Sequence, residues 1–475
     1  MRKRVLLDLS SLLFVVAGCT TEPGPGPGPA AAPPPPTATS AEIHAKFHFI
    51  VERNGAPVDV DKIVYTDRFA TRLDGLPPGA EVTIVARTYA PGAEGRGWTS
   101  TTTFAADAAG IVDSATMAPI SGSYAGVDPD GFFWSMTEGP IPEGLGVNRR
   151  AAFFKATLGD RVVAEAALGR LPMAENVRVE EVTDDGLVAE YFLPAGVTDR
   201  VPVVAFGGSD GGIYGGEFYA MRLASLGYPT LAVAYFGMKG VPQELTEIPL
   251  EYFGKAFAWL DKRAETRKGK VVVMGGSRGG ELALLLGATF PSVVGVIAET
   301  PSSFRWAGLG VDGKTAWTYE GKPLAFVPPG SKELPARIDG PEGSTAWVLR
   351  TTFEESMRKA SPEALEAARI AVENTRGPIL MIAGAADQMW PACDFGKAAM
   401  THLTATGHAA KHGDEAVCFP MAGHAVGGTG LPTAGSMWAT IGEDVYALGG
   451  TAEANARAGR AADEKVRAFL GRAAK

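Results

Sequence analysis

The stretch Val271-Val272-Val273-Met274-Gly275-Gly276-Ser277-Arg278-Gly279-Gly280 constrains this chain more than any other. Four apolar residues suited to a buried strand run into Gly-x-Ser-x-Gly, and the helical run Glu281-Leu282-Ala283-Leu284-Leu285-Leu286 follows at once. Strand, sharp turn and helix in that order are the context of a nucleophile elbow. Glycines flank Ser277 because the turn is tight and a side chain there would strike the neighbouring strand or helix. The turn lifts the serine hydroxyl above the sheet edge, where the helix N-terminus favours negative charge. In a chain with 60 glycines the pentapeptide alone is weak evidence. Its placement between strand and helix separates a nucleophile from a plain glycine turn.

A serine nucleophile needs a base, and the chain has six histidines. His44 and His48 lie far upstream in an expected strand. His402, His408 and His412 fall in a polar helix-and-loop stretch and read as solvated surface residues. His424 follows the strand-like run Ala416-Val417-Cys418-Phe419-Pro420 and sits in the loop Met421-Ala422-Gly423-His424-Ala425-Val426-Gly427-Gly428. From a turn just past a late strand it can reach back to the elbow, so His424 is the expected base.

The third member is a carboxylate that fixes the imidazole tautomer and stabilises its charged form. Pro378-Ile379-Leu380-Met381-Ile382-Ala383 reads as a buried strand, with Asp387 in the turn at its end. Asp387 is therefore the expected acid. Its rivals are Asp394, which fits the first turn of a helix, and Asp414, which fits a polar turn before the next strand. The order Ser277, Asp387, His424 is that of an α/β-hydrolase. The gap between Ser277 and Asp387 exceeds a bare sheet crossover and leaves room for a lid.

Upstream, Val201-Pro202-Val203-Val204-Ala205-Phe206 is an apolar strand followed by Gly207-Gly208-Ser209-Asp210-Gly211-Gly212. Such a loop exposes backbone N–H groups, and one of them with the Arg278 amide could hold an oxyanion. The Ser209 and Asp210 amides are both candidates. A phosphate loop is the competing reading, but no Gly-Lys-Ser/Thr ending follows.

The N-terminus carries a different message. Arg2-Lys3-Arg4 precedes an apolar stretch from Val5 to Val15, too short to span a bilayer, and Val16-Ala17-Gly18-Cys19 follows. This pattern is similar to a bacterial lipoprotein signal in which Cys19 would be lipidated. Asp8 is atypical there, and an ordinary secretory signal is the alternative; both imply export. From Thr20 to about Ser40 the chain is almost wholly Pro, Gly, Ala and Thr, an extended tether without a core. Free thiols are unusual in exported proteins. Cys393 and Cys418 are thus expected to pair, tying the acid loop to the strand before the base loop, with two independent buried cysteines as the alternative. A net charge of −9 argues against a nucleic-acid partner. No metal or cofactor is implied, because the histidines show no ligand spacing.

Between these ends the pattern changes once. Alternating stretches such as Ala45–Val51, Glu81–Arg87 and Trp98–Phe104, punctuated by Asn54-Gly55 and Pro77-Pro78-Gly79, suggest a β-sandwich. From Val201 onward strands alternate with helices, which reads as a parallel α/β sheet. Val177 to Leu193, with Asp184-Asp185-Gly186 as its turn, reads as a hairpin joining the two domains. Residues 301–370 show no clear period until Ser361-Pro362 starts a helix, and are expected to form a lid or pocket wall, with a surface insertion as the alternative. The expected layout is a signal at 1–18, a tether at 19–41, an immunoglobulin-like β-sandwich at 42–175 and an α/β-hydrolase domain at 176–475.

This layout resembles the family of acyl-CoA thioesterases and bile acid-CoA:amino acid N-acyltransferases. The likeness rests on Leu76-Pro77-Pro78-Gly79, Gly122-Ser123-Tyr124-Ala125-Gly126-Val127-Asp128-Pro129 and Phe133-Trp134-Ser135-Met136 in the small domain. In the large domain it rests on Gly207–Gly212, Gly276–Leu284 and Ala422-Gly423-His424. It implies nucleophile, acid and base at Ser277, Asp387 and His424. Transferases of the group use cysteine as nucleophile, so serine implies hydrolysis. The expectation is an exported serine hydrolase of acyl thioesters, held to a membrane by its N-terminal lipid. Acyl-CoA is cytosolic, so the substrate could be another thioester or an oxygen ester. The alternatives are a carboxylesterase or dienelactone-hydrolase-like esterase, a peptidase-like hydrolase, and a degenerate binding lipoprotein. The sandwich is either a cap on the site or a recognition module.

Overall fold

The structure, a computed structural model, describes residues 43–473 except 54, 90–95, 141–150, 311–312, 331–334, 427–429, 431 and 442. The expected signal, Cys19 and the expected tether lie outside the described residues. Residues Ile43–Lys475 form one compact unit.

The small domain is a sandwich of two antiparallel sheets. One orders Ala56–Pro57, Lys46–Arg53, Arg68–Asp74 and Val112–Asp113. The other orders Arg161–Gly169, Ala151–Leu158, Glu81–Tyr89, Arg96–Ala105 and Ser121–Gly122, with Thr137–Pro140 also on Arg96–Ala105. Alternation buries Val82, Ile84 and Ala86 on one face of their strand, against Phe47, Leu73 and Phe154. The short helix Gly131–Trp134 adds Phe132 and Phe133 to the same core.

The large domain is built on eight strands: β1 (Val177–Val182), β2 (Val188–Pro194), β3 (Val203–Phe206), β4 (Thr230–Ala234), β5 (Val271–Gly276), β6 (Val293–Glu299), β7 (Ile379–Gly384) and β8 (Glu415–Phe419). Their spatial order is β1-β2-β4-β3-β5-β6-β7-β8. The first pair is antiparallel, β2 meets β4 antiparallel, and all later neighbours run parallel. The hairpin at Val177–Leu193 therefore opens the large sheet, and the expected boundary near residue 175 falls in the loop before β1. This is the α/β-hydrolase fold.

Helices cover both faces: α1 (Tyr214–Ser225), α2 (Glu251–Asp261), α3 (Arg278–Thr289), α4 (Ala392–Ala405) and α5 (Ala452–Ala473). A strand covered on both sides reads as an unbroken apolar run. In β5, Val271 and Val273 pack with Phe253 of α2 and Leu282 of α3. Val272 and Met274 face the other way, with Leu223 of α1 and Val466 and Phe469 of α5. Each such side chain contributes on the order of 1.5–3 kcal/mol on burial. The short strand β8 forms the outer edge of the sheet and is only half-buried.

Residues 301–370 carry more structure than their sequence pattern announces. They contain the strands Trp317–Tyr319, Ala336–Asp339 and Thr345–Val348 and the helix Arg350–Lys359. The helix Pro362–Ala368 begins where Ser361 predicts, its hydroxyl accepting the Ala364 N–H at 3.2 Å. Among the described residues, no helix is long and apolar enough to cross a membrane.

Candidate active site

The elbow gathers at the carboxyl end of β5, where open α/β sheets place their ligand crevices. Ser277 adopts φ 57° and ψ −123°, a conformation costly for a residue with a Cβ and characteristic of an elbow nucleophile. Two devices hold it there. Its N–H donates to the Glu299 carbonyl at the end of β6 (2.9 Å), and its own carbonyl accepts the Gly280 and Glu281 amides at 2.9 and 3.1 Å. The neighbouring glycines are required by space: a Cβ on Gly279 would collide with the Gly207 carbonyl, and one on Gly275 with the Gly279 carbonyl.

Asp387 follows β7 and is almost fully buried, at 1 % exposure. Its Oδ2 lies 2.7 Å from His424 Nδ1, and its Oδ1 accepts the Met389 and Trp390 amides at 2.8 and 3.2 Å. Arg350 steadies the same loop, donating to the carbonyls of Asp387 (3.0 Å) and Ala385 (3.1 Å). His424 donates its backbone N–H to the Leu448 carbonyl at 2.8 Å, and its ring meets that of Trp390 edge-on with centroids 6.0 Å apart. Because a carboxylate accepts at Nδ1, the proton of the neutral ring belongs there and Nε2 is left able to accept one. The rival Asp394 lies in the first turn of α4. Asp414 instead bonds His408 and the Ile379 amide.

Ser277 and His424 line a single cavity of about 390 Å³ with the loop Gly207–Asp210. No hydrogen bond joins the Ser277 hydroxyl to the His424 ring among the described residues. Free serine hydrolase sites commonly tighten this contact only with substrate bound. The rest of the wall is largely apolar, with Phe218, Met389, Val426, Ile441 and Leu448. Of residues 301–370, expected as a lid or pocket wall, none of the described ones lines this cavity. Ala439, Thr440 and Ile441 of the strand Trp438–Ile441, and Leu448 just after its partner Asp444–Ala447, contribute instead. A larger cavity of about 600 Å³, between Glu373–Arg376 and Thr406–His412, holds none of these side chains.

The glycine loop resolves which amides are free. Gly208 N–H donates to Asp210 Oδ1 at 3.1 Å, and the Asp210 amide faces its own carboxylate. Burial nevertheless raises the Asp210 pKa above its ordinary value. The Ser209 amide carries neither commitment. Gly208 touches the elbow directly, since a Cβ there would lie 3.1 Å from both Ser277 Cβ and the Gly276 carbonyl. The Arg278 amide opens α3, while its side chain turns inward to Glu281 (3.0 Å) and the Ala307 carbonyl (3.0 Å).

Several residues escaped the sequence pattern. Glu299 is buried beside the elbow, bonded by the Tyr219 hydroxyl at 3.0 Å and faced by Arg222 at 3.8 Å, and burial raises its pKa. Charged residues within apolar runs, as in Ile297-Ala298-Glu299, are the signal that could have marked it. His408 corrects an expectation: it is buried rather than solvated, with Nδ1 2.6 Å from Asp414 Oδ2 and Nε2 2.7 Å from the Thr375 carbonyl. His402 pairs with Glu373 at 2.9 Å. Cys393 and Cys418 form a disulfide, with Cα atoms 5.5 Å apart. Among the described residues, no cluster of three or more His, Cys, Asp or Glu side chains is placed to hold a metal ion.

Comparison with known proteins agrees with this architecture. Residues 66–184 match the acyl-CoA thioester hydrolase/BAAT N-terminal region, and residues 248–475 match the BAAT / acyl-CoA thioester hydrolase C terminal. The chain is 24 % identical to human acyl-coenzyme A thioesterase 6 over 416 residues, covering 85 % of this chain and 92 % of that one. It is 23 % identical to mouse peroxisomal succinyl-coenzyme A thioesterase over 407 residues, covering 84 % and 91 %. Among solved structures, a Pyrobaculum calidifontis esterase aligns with a TM-score of 0.39 at 17 % identity, over 63 % of this chain and 86 % of that one. A putative dienelactone hydrolase from Klebsiella pneumoniae aligns at 0.38 and 14 % identity, over 62 % and 98 %.

Proposed function

This chain belongs to the acyl-CoA thioester hydrolase/BAAT family, and from that premise we propose that it hydrolyses acyl thioesters through an acyl-serine on Ser277. The observation that carries the reading is the Asp387–His424 bond in a cavity whose floor is the strained Ser277 turn. Ser277 Oγ attacks the acyl carbonyl while His424 Nε2 takes its proton. The Asp387 carboxylate stabilises the imidazolium that forms. The Arg278 and Ser209 amides receive the negative oxygen, a contribution of about 10²–10³ in rate per donor. The tetrahedral intermediate collapses, the C–S bond breaks and the thiolate leaves with the proton from His424. Water then attacks the acyl-serine with His424 again as base, releasing the carboxylic acid and restoring Ser277. The apolar wall around Phe218 and Ile441 suits the acyl chain.

The proposal includes export as a lipoprotein anchored through Cys19, with 20–40 as the tether. Its supports are the sequence of the leader and the Cys393–Cys418 disulfide, a bond that persists in oxidising compartments. An exported enzyme meets little acyl-CoA, so this reading favours another acyl thioester or an ester as the natural substrate.

The test is a fluorophosphonate probe followed by a panel of acyl-CoA, the matching N-acetylcysteamine thioester, an aryl ester and a peptide amide. Wild type should be labelled, Ser277→Ala should not, and thioesters should be the best substrates. Folded wild type that resists the probe would make this a binding protein; a marked preference for the aryl ester would make it a carboxylesterase.

A further inference from the structure

The loop that carries His424 is seated by a residue far from the reacting atoms. We infer that Asn455 is a positioning residue for His424, and that through Ser436 and Thr433 it couples the imidazole loop to the β-sandwich. The inference rests on His424 acting as the base.

Asn455 stands in the first turn of α5 and is 1 % exposed. Its Oδ1 accepts the N–H of Gly423, the residue before His424, at 2.8 Å. Its Nδ2 donates to Ser436 Oγ at 3.1 Å and approaches the Gly449 carbonyl at 3.4 Å. One side chain thus clasps both ends of the segment that leaves the base and returns to α5. The Gly449 backbone packs directly on Gly423, where a Cβ would collide with the Gly449 carbonyl.

The line continues into the other domain. Ser436 donates both its N–H (3.0 Å) and its hydroxyl (2.7 Å) to the Thr433 carbonyl. Thr433 N–H reaches the Trp134 carbonyl at 3.5 Å, and its hydroxyl lies 3.3 Å from that carbonyl and 2.6 Å from the Ala452 carbonyl. Trp134 belongs to the sandwich and is itself fixed, its indole N–H donating to Asp128 Oδ2 at 3.0 Å. Asp128 Oδ1 accepts from Arg460 on α5 at 3.0 Å, so the line closes on the helix where it began. A second sandwich residue, Arg170, donates to the Gly430 carbonyl with its guanidinium 3.8 Å over the Phe133 ring.

The physical need is plain. Asp387 fixes the direction of the imidazole but not the height of its loop above Ser277. Base and hydroxyl must come within hydrogen-bond reach when substrate binds, and a displacement of about 1 Å costs about 10²-fold in rate. The Leu448 carbonyl holds the His424 amide, and Asn455 and the sandwich add a restraint on the residue before it.

The experiment compares full-length wild type with Asn455→Ala, Asn455→Asp and Thr433→Val. It reads kcat and KM on an N-acetylcysteamine thioester, thermal unfolding, and amide hydrogen exchange of the segment 421–426. Asn455→Ala should lower kcat by about 10- to 100-fold with KM within about twofold, and should speed exchange at Gly423 and His424. Asn455→Asp keeps an acceptor for Gly423 but gives up the donor to Ser436, so exchange at Gly423 should stay slower than in Asn455→Ala while the link to Thr433 is lost. Thr433→Val leaves Asn455 intact and should move the same readouts less, in the same direction. Lost thermal stability with wild-type kcat per folded molecule and unchanged exchange would overturn the proposal. So would exchange at Gly423 as fast in Asn455→Asp as in Asn455→Ala. Should wild type turn over no thioester or ester, the hydrolase reading falls, and the exchange data alone decide whether Asn455 holds the loop.

Discussion

His424 Nδ1 lies 2.7 Å from Asp387 Oδ2, and the second oxygen of that carboxylate is already committed to the Met389 and Trp390 amides. The carboxylate cannot rotate without breaking three bonds, so the imidazole has one orientation and one neutral tautomer. Asp387→Asn would offer an amide where an acceptor is needed and favour the wrong tautomer. Steady-state kinetics should show kcat reduced by about 10⁴-fold with little change in KM. A loss of less than tenfold would remove Asp387 from the mechanism.

Gly208→Ala should separate rate from stability. The new Cβ would stand 3.1 Å from Ser277 Cβ and from the Gly276 carbonyl, so the glycine loop must retreat from the elbow. If the Ser209 amide receives the oxyanion, kcat should fall by about 10²–10³. A parallel melting curve should move only a few degrees, because the strain falls at a loop facing the cavity.

The disulfide should stabilise the chain through its unfolded state. It closes a sequence separation of 25 residues, for which loop-closure entropy gives about 3.5 kcal/mol. Thermal unfolding with and without a thiol reductant, and of the Cys393→Ser/Cys418→Ser pair, should show the same decrease in Tm. An unchanged Tm would mean that α4 and β8 are held by packing alone.

Glu299→Gln should change how stability depends on pH. Burial raises the Glu299 pKa above its ordinary 4.5, so above that pH the folded chain retains a proton that the unfolded chain has lost. More protons in the folded state mean that this group's contribution to stability falls as pH rises through the raised pKa. Denaturant unfolding from acid to neutral pH should therefore show wild type losing stability relative to Glu299→Gln. Parallel curves would show that Arg222 and Tyr219 offset the burial completely.

What could be read from the sequence follows the range of the interactions concerned. The elbow is local: strand, glycines, serine and helix lie within one continuous stretch, and spacing alone announces them. The parallel strands were legible because burial on both faces leaves unbroken runs such as Val271–Met274. Asp387 and His424 meet across distant positions, yet each stands just past a strand end, and strand ends converge in this architecture. The cavity wall gave no such warning. Trp438–Ile441 and Asp444–Ala447 belong to a small sheet completed by Thr345–Val348 and Ala336–Asp339, a pairing that no local period encodes. His408 misled because its surroundings in sequence are polar, whereas its burial depends on the Thr375 carbonyl, far away in the chain. Asn455 reads as an ordinary polar residue at a helix start, and only its partners reveal its task.

The outermost strand of the large sheet has one further consequence. β8 is short, half-exposed and, among the described residues, unpaired on its outer side, and such an edge is a template for adding a strand from another molecule. Here Cys418 is bonded to α4 and Glu415 is ion-paired with Lys465, so the strand is anchored at both of its ends. Cutting the sulfur bond would release one anchor of this border strand and leave Lys465 to hold the other. In the oxidised chain one covalent link thus fixes the rim of the sheet beside the loops that carry Asp387 and His424.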